Sequence, residues 1–182
     1  MGKATSDLRD EHDSILFVLK IVDKMLLPGT KKDAGKLRYF RELVYFLKIF
    51  ADRCHHGKEE GFLFTELVNR GVRNEGGPIG VMLQEHVQGR EYIAQMSEAL
   101  DDEDVGGFSA AALKYSGLLR SHIGKENNVL FEMADRLLND EAQNLMFEKF
   151  EHHEEKVIGH GVHEKLHSMI HSWATDFKVQ DE

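Results

Sequence analysis

The sequence predicts an all-α fold, an up-and-down four-helix bundle with an extra C-terminal helix. Apolar residues recur at three- and four-residue spacing along nearly the whole chain, and no run alternates convincingly with period two. Only 2 prolines occur in 182 residues, so long helices are allowed. The segments joining the apolar stripes are short, the mark of antiparallel neighbours.

The first stripe is Leu8, Ile15, Leu16, Leu19, Val22 and Met25-Leu26; Ser6 or Asp7 can cap its start, and Leu27-Pro28-Gly29 stops it. A second runs from Leu37 through Phe40, Leu43, Val44, Leu47 and Phe50 to Leu67 and Val68, with Gly71 just past its end. Gly76-Gly77-Pro78 opens a third helix, Pro78 suiting the first helical position. That helix carries Met82, Leu83, Ile93, Met96 and Leu100. Ser109 is the candidate cap of a fourth helix reaching about Leu138. Asn139-Asp140 caps a fifth, which breaks at Gly159 and Gly161 before a last piece, Val162 to Phe177, containing Trp173. The expected organisation is a bundle over residues 1–138 and a helical extension over 139–182 packed on it.

Composition narrows the function. The formal charge is −9, which disfavours nucleic acid and anionic membrane surfaces. A hydrophobic fraction of 41% argues against disorder. The single cysteine, Cys54, rules out an intrachain disulfide framework; it reads as a small buried apolar group before a redox thiol. No stretch approaches ~18 consecutive apolar residues, and the N-terminus lacks an apolar signal core, so a cytoplasmic location is expected. The 11 histidines exceed any background.

One ten-residue word occurs twice. His55-His56-Gly57-Lys58-Glu59-Glu60-Gly61-Phe62-Leu63-Phe64 and His122-Ile123-Gly124-Lys125-Glu126-Asn127-Asn128-Val129-Leu130-Phe131 share H-x-G-K-E-x-x-x-L-F. A shorter word, Glu11-His12 and Glu85-His86, also recurs, so helices one and two echo helices three and four about an approximate two-fold axis. Residues i and i+4 share a helix face, so His55 with Glu59, and His122 with Glu126, can point at one centre. With His12 and His86 they give four nitrogens and two carboxylates, a set suited to two first-row metal ions bridged by the carboxylates. His86 lies 14 residues before Leu100 and His122 lies 13 after Ser109, so antiparallel packing sets them level. Helices one and two match less well: His12 precedes Leu27 by 15, whereas His55 follows Asp33 by 22. Aligning the two words selects His55 over His56 and Glu59 over Glu60. Gly57 and Gly124 read equally as tolerated glycines and as points of close approach.

These residues resemble the hemerythrin-like, or HHE cation-binding, family, in its bacterial branch. The resemblance rests on Leu8-x-x-Glu11-His12, both H-x-x-x-E words with their trailing Leu-Phe, and Glu85-His86, over about residues 7–138. It implies a four-helix bundle holding two non-haem iron ions with an oxo or hydroxo bridge. It further implies His12, His55, His86 and His122 as nitrogen ligands and Glu59 and Glu126 as bridges. Oxygen carriers of the family add a histidine one turn after the helix-three ligand; here that position is Arg90. Their second bridge is an aspartate at i+5, where this chain has Glu126 at i+4. Dedicated oxygen transport is therefore disfavoured. His163, then His167, is favoured as a replacement seventh ligand from the stripe His160, His163, His167 and His171; a solvated or dimer-facing stripe is the competing reading, and a homodimer stays open.

The implied function is binding of, or response to, dioxygen. The alternatives are a di-iron redox enzyme acting on peroxide or nitric oxide, and an iron-handling or iron-sensing module. The small ligand is accordingly a diatomic gas or peroxide. Ferritin-like di-iron proteins use Glu-x-x-His, the reverse order, and structural zinc takes four ligands, so both fit less well. Glu11, Glu60, Glu85 and His152-His153 read as solvated surface groups. Phe62, Phe64, Phe131, Met133, Tyr45 and Tyr115 read as core.

Overall fold

A computed structural model describes residues 1–29, 33–159 and 161–180; the side chains of residues 33, 34 and 163 lie outside that description. The protein is all-helical, and no strand occurs among the described residues. Helix α1 spans Lys3–Leu26 and α2 spans Asp33–Phe46. The helix after α2 continues without interruption through π-helical stretches at Leu47–His56 and Glu59–Leu63 into α3, Phe64–Asn69. Helices α4, Pro78–Asp101, and α5, Val105–Lys125, form a tight hairpin. A π-helical turn at Glu126–Leu130 joins α5 to α6, Phe131–Leu137. Helices α7, Asp140–Val157, and α8, Val162–Phe177, complete the chain.

The helix ends follow local chemistry in most places. Pro78 takes the first turn of α4, and the Asn139 side chain caps α7 by accepting from the Ala142 amide at 3.0 Å. Gly71, at φ 90°, closes α3; its amide and that of Val72 return to the Val68 and Leu67 carbonyls at 2.9 and 3.0 Å. Gly159 and Gly161 break the chain between α7 and α8 at φ 85° and 80°.

Two expected caps are corrected. Helix α1 starts before Ser6 and Asp7, because a tertiary contact caps it. The Gly2 amide donates to Asp135 at 2.8 Å, and the Ala4 and Thr5 amides donate to Gln143 Oε1 at 3.2 and 3.3 Å. Helix α5 starts before Ser109, because Asp104 accepts from the Gly107 amide at 2.9 Å.

Two apolar clusters fill the interior. One gathers Ile15, Leu19, Phe40, Phe46, Phe50, Ile93, Met96, Phe108 and Leu119, together with Leu166, Ile170 and Trp173 of α8. The other gathers Leu8, Leu63, Phe64, Met82, Leu130 and Phe131 with Met146 and Phe150 of α7. Along each long helix a short buried polar segment separates the two. Glu11-His12 lies between Leu8 and Ile15, and His55 to Glu59 between Ala51 and Leu63. His86 lies between Met82 and Ile93, and His122 and Glu126 lie between Leu119 and Leu130. The molecule is thus a layer of ionisable groups held between two hydrophobic plugs.

Helix α8 is anchored by Trp173, which is fully buried, meets Phe46 edge-on at 5.9 Å, and donates its indole N–H to Glu42 at 2.8 Å. Trp173→Ala is expected to destabilise the protein by roughly 3–5 kcal/mol, the cost of an emptied aromatic site. Trp173→Phe should cost less, losing the hydrogen bond, about 1 kcal/mol, and leaving a smaller cavity than alanine does. Urea unfolding monitored by circular dichroism measures both. No described helix is long and apolar enough to cross a membrane.

Candidate metal centre

The polar layer brings six of the seven expected ligands together and adds one that sequence reasoning passed over. Two groups of buried donors converge: His56, Glu59, His86 and His122, and His12, His55, Glu59 and Glu126. Glu59 belongs to both. Its Oε1 lies 3.5 Å from His55 Nε2, and its Oε2 lies 3.4 Å from His86 Nε2. Glu126 Oε2 likewise approaches His12 Nε2 at 3.3 Å and His122 Nε2 at 3.1 Å. Each carboxylate therefore reaches across the layer between the two groups.

Each histidine but His56 is oriented by a second residue on its Nδ1. His55 donates to Glu11 at 2.8 Å, His86 to Glu60 at 2.7 Å and His122 to Glu85 at 2.9 Å. His12 donates to Asn127 at 2.8 Å. This turns each Nε2 toward the centre, where those of His86 and His122 meet at 3.1 Å, the outer-shell arrangement characteristic of metal-binding imidazoles. Glu11, Glu60 and Glu85 are thus not the solvated groups that isolated residues suggested; a histidine from another helix turns each inward. Arg90, in the place of the absent helix-three histidine, bonds Glu60 and Asp52 at 2.7 Å each and so braces the His86 partner.

The repeat is written into this geometry. Phe64 stacks on His86 at 5.8 Å and its counterpart Phe131 stacks on His12 at 5.2 Å, so the trailing phenylalanines wall the site. The two-fold correspondence breaks at two positions that face the donors. His56 in the first word corresponds to Ile123 in the second, and Glu60 corresponds to Asn127. One group therefore holds three histidines and the other two. The His56 ring lies 3.8 Å from that of His86 and nearly parallel to it.

His56 was passed over because alignment of the words selects His55, and the second copy carries isoleucine at the matching place. The available signal was the missing helix-three histidine together with an unused neighbour on helix two. Of the favoured replacements, His163 has its side chain outside the described residues, and His167 is exposed on α8, away from the clustered donors. His153 is half-buried and reaches the Arg53 carbonyl at 3.0 Å, passing close over Gly57, where a Cβ would meet its Nε2 at 2.6 Å. Gly124 has open space instead. Phe62 and Met133 are only partly buried. Tyr115 packs in the core as expected, but Tyr45 is exposed beneath the Lys165 ammonium, 5.0 Å from its ring.

The donor atoms are unsatisfied as they stand. Nε2 of His12 and His55, both ring nitrogens of His56, and all four carboxylate oxygens of Glu59 and Glu126 are buried without a hydrogen-bond partner. Eight such atoms in one layer carry a large desolvation cost unless a cation fills the space between them. Protonation shows the same demand. Burial, with the Glu126 charge behind it, pushes Glu59 well above the usual carboxylate range. Glu126 stays ionised far below that range, because its contacts with His12 and His122 outweigh burial. Burial works against the charge on His12 and His122 as well, yet Glu126 raises both. Burial takes His55 down to about 4, His12 adding to the effect, and holds His56 well below the usual range, with the His86 charge adding to it. Protons thus supply part of the positive charge the cage requires.

A third grouping, Glu11, Cys54 and Glu154, is filled by the Lys58 ammonium, 2.7 Å from Glu11, 3.2 Å from Glu154 and 3.0 Å from Asp7. Burial alone would lower the Lys58 pKa, but these carboxylates raise it. Cys54 is buried and its thiol pushed up, first by burial and then by Glu11, as for an inert apolar cysteine.

Comparison with curated proteins and with solved structures returned no match. The family model of the hemerythrin HHE cation binding domain matches residues 3–134, the segment that contains every donor of both groups. With that match over most of its length, and a buried His/Glu cage that fits a metal site, the chain belongs to the hemerythrin HHE cation-binding domain family.

Proposed function

We propose that this chain is a non-haem di-iron protein that binds or responds to dioxygen. The architecture we infer is the four-helix bundle of the family, α1, α2 through α3, α4 and α5 through α6, with α7 and α8 as the added helical part. The observation that carries the reading is the unequal donor set. His56, His86 and His122 crowd one position, whereas His12 and His55 serve the other, where Ile123 stands in place of a third imidazole. The second position is the one left open for a small ligand. Seven nitrogen and carboxylate donors exceed the four of structural zinc and suit iron. A pair of irons, once bound, supplies electrons to a small molecule. The chain's residues hold the pair in place through Glu59 and Glu126, fix the imidazoles, and exclude water with Phe64, Phe131 and the two apolar plugs.

An optical titration tests this. The iron-loaded protein is reduced without oxygen, exposed to O2, and then evacuated. A visible charge-transfer band that appears and then disappears supports O2 binding. A band that forms and does not return favours the redox-enzyme reading, with peroxide or nitric oxide as ligand. Failure to load two irons per chain sinks the proposal.

Loading is expected to release protons. His12 and His122 have pKa values raised above the ordinary imidazole value and Glu59 one raised above the carboxylate range, so protons compete with metal at all three. Apparent affinity should therefore rise as pH rises through the raised histidine pKa values. Calorimetric titration in buffers of different ionisation enthalpy counts the protons; no release at neutral pH would contradict the protonation pattern above.

A further inference from the structure

We infer that Lys58 and Lys125 are positioning residues for the site histidines, each acting through a glutamate. Both belong to the repeated H-x-G-K-E word, three residues after its histidine and therefore on the same side of the helix. In the first copy Glu11 divides its two oxygens: Oε1 accepts from Lys58 at 2.7 Å and Oε2 accepts from His55 Nδ1 at 2.8 Å. In the second copy Glu85 does the same, with Oε1 accepting from Lys125 and Oε2 accepting from His122 Nδ1 at 2.9 Å. The glutamate comes from the Glu-His word of the preceding helix in both halves, so the two recurring words encode one lysine–glutamate–histidine device twice. With one oxygen locked by an ammonium, the other stays aimed at Nδ1, and Nε2 stays turned toward the centre.

The two copies differ in setting. Lys58 is 1% exposed and also holds Asp7 and Glu154, whereas Lys125 is 39% exposed. Glu154 lies on α7, outside the family-matched residues 3–134, so the C-terminal part is tied into the device that orients His55. Removing Lys58 takes away the ammonium that Asp7, Glu11 and Glu154 share, and Glu11 loses its fixed orientation.

The inference takes its purpose from the metal-binding reading but can be tested without metal. Imidazole nitrogen–proton correlation spectra of the metal-free full chain at mildly alkaline pH report the tautomer. His55 and His122 are expected as Nδ1–H tautomers in the wild type. Lys58→Met should mix the tautomers of His55 and leave His122 unchanged, Lys125→Met should do the reverse to a smaller extent, and Lys58→Arg should restore His55. Cobalt(II) affinity should fall about 10-fold in Lys58→Met, the lower end for loss of outer-shell support, and by less in Glu154→Gln. An unchanged His55 tautomer in Lys58→Met overturns the inference. Should that variant fail to fold, an unchanged His122 in Lys125→Met overturns it equally. Tautomer shifts as described in a chain that takes up no cobalt would leave the positioning role standing and remove the metal-binding reading.

Discussion

Glu59→Ala is expected to abolish metal loading at both positions. Glu59 is the one side chain shared by the two donor groups, with an oxygen 3.5 Å from His55 Nε2 and the other 3.4 Å from His86 Nε2. Its neighbour Glu60 cannot replace it, because Glu60 is engaged by His86 and Arg90. The metal-free protein should respond in the opposite sense. Both Glu59 oxygens are buried without a hydrogen-bond partner, so truncation removes a desolvated group whose approaches to His55 and His86 are long. The wild type should gain thermal stability on loading, as any protein does when a ligand binds only its folded state. Glu59→Ala, and the volume-conserving Glu59→Gln, should show no such gain while melting at or above the metal-free wild-type temperature. Elemental analysis after reconstitution gives the stoichiometry, and melting with and without metal gives the rest. Two ions per chain in either variant would remove Glu59 from its bridging place.

The second large effect is expected at His56. His56→Leu should lose the ion held with His86 and His122, with a drop in affinity beyond the roughly 10–100-fold typical of disturbed outer-shell partners. The ion at His12 and His55 should remain, so the stoichiometry falls from two to one. Neither His56 ring nitrogen has a hydrogen-bond partner, and burial keeps the ring neutral, so leucine should again raise metal-free stability. His163→Ala distinguishes the two candidates for the seventh donor. If it halves the metal content while His56→Leu does not, the extra ligand comes from the C-terminal helix and the three-histidine group is wrongly drawn.

The all-helical class, the element order and six of the clustered donors were legible because each depends on a short-range rule. Helical spacing put His55 with Glu59, and the repeated word named its partner 67 residues away. What stayed hidden depends on neighbours from elsewhere in the chain. Glu11 and Glu85 look like surface carboxylates until helix packing brings a histidine to each. The cap of α1 is supplied by Asp135 and Gln143, which no local window contains. His56 was obscured by the strength of the repeat: symmetry argued for the residue that matched, whereas the second group is completed by the residue that does not. The mismatch between His12 and His55 along their helices also has a structural cause. The stretch before His55 is π-helical, and a wider turn advances less per residue than an α turn.

That wider winding sets how each half of the protein meets a change in chain length. A π turn holds one more residue than an α turn, so a residue lost from Leu47–His56 can be absorbed by one turn narrowing, with the donors beyond it still in phase. Helix α5 has no such slack ahead of His122, because Val105–Lys125 is α-helical throughout. Losing one residue there would rotate His122 and Glu126 by about 100° away from their buried face. Aligned sequences of related chains should therefore place gaps before the first H-x-x-x-E word and run without gaps into the second.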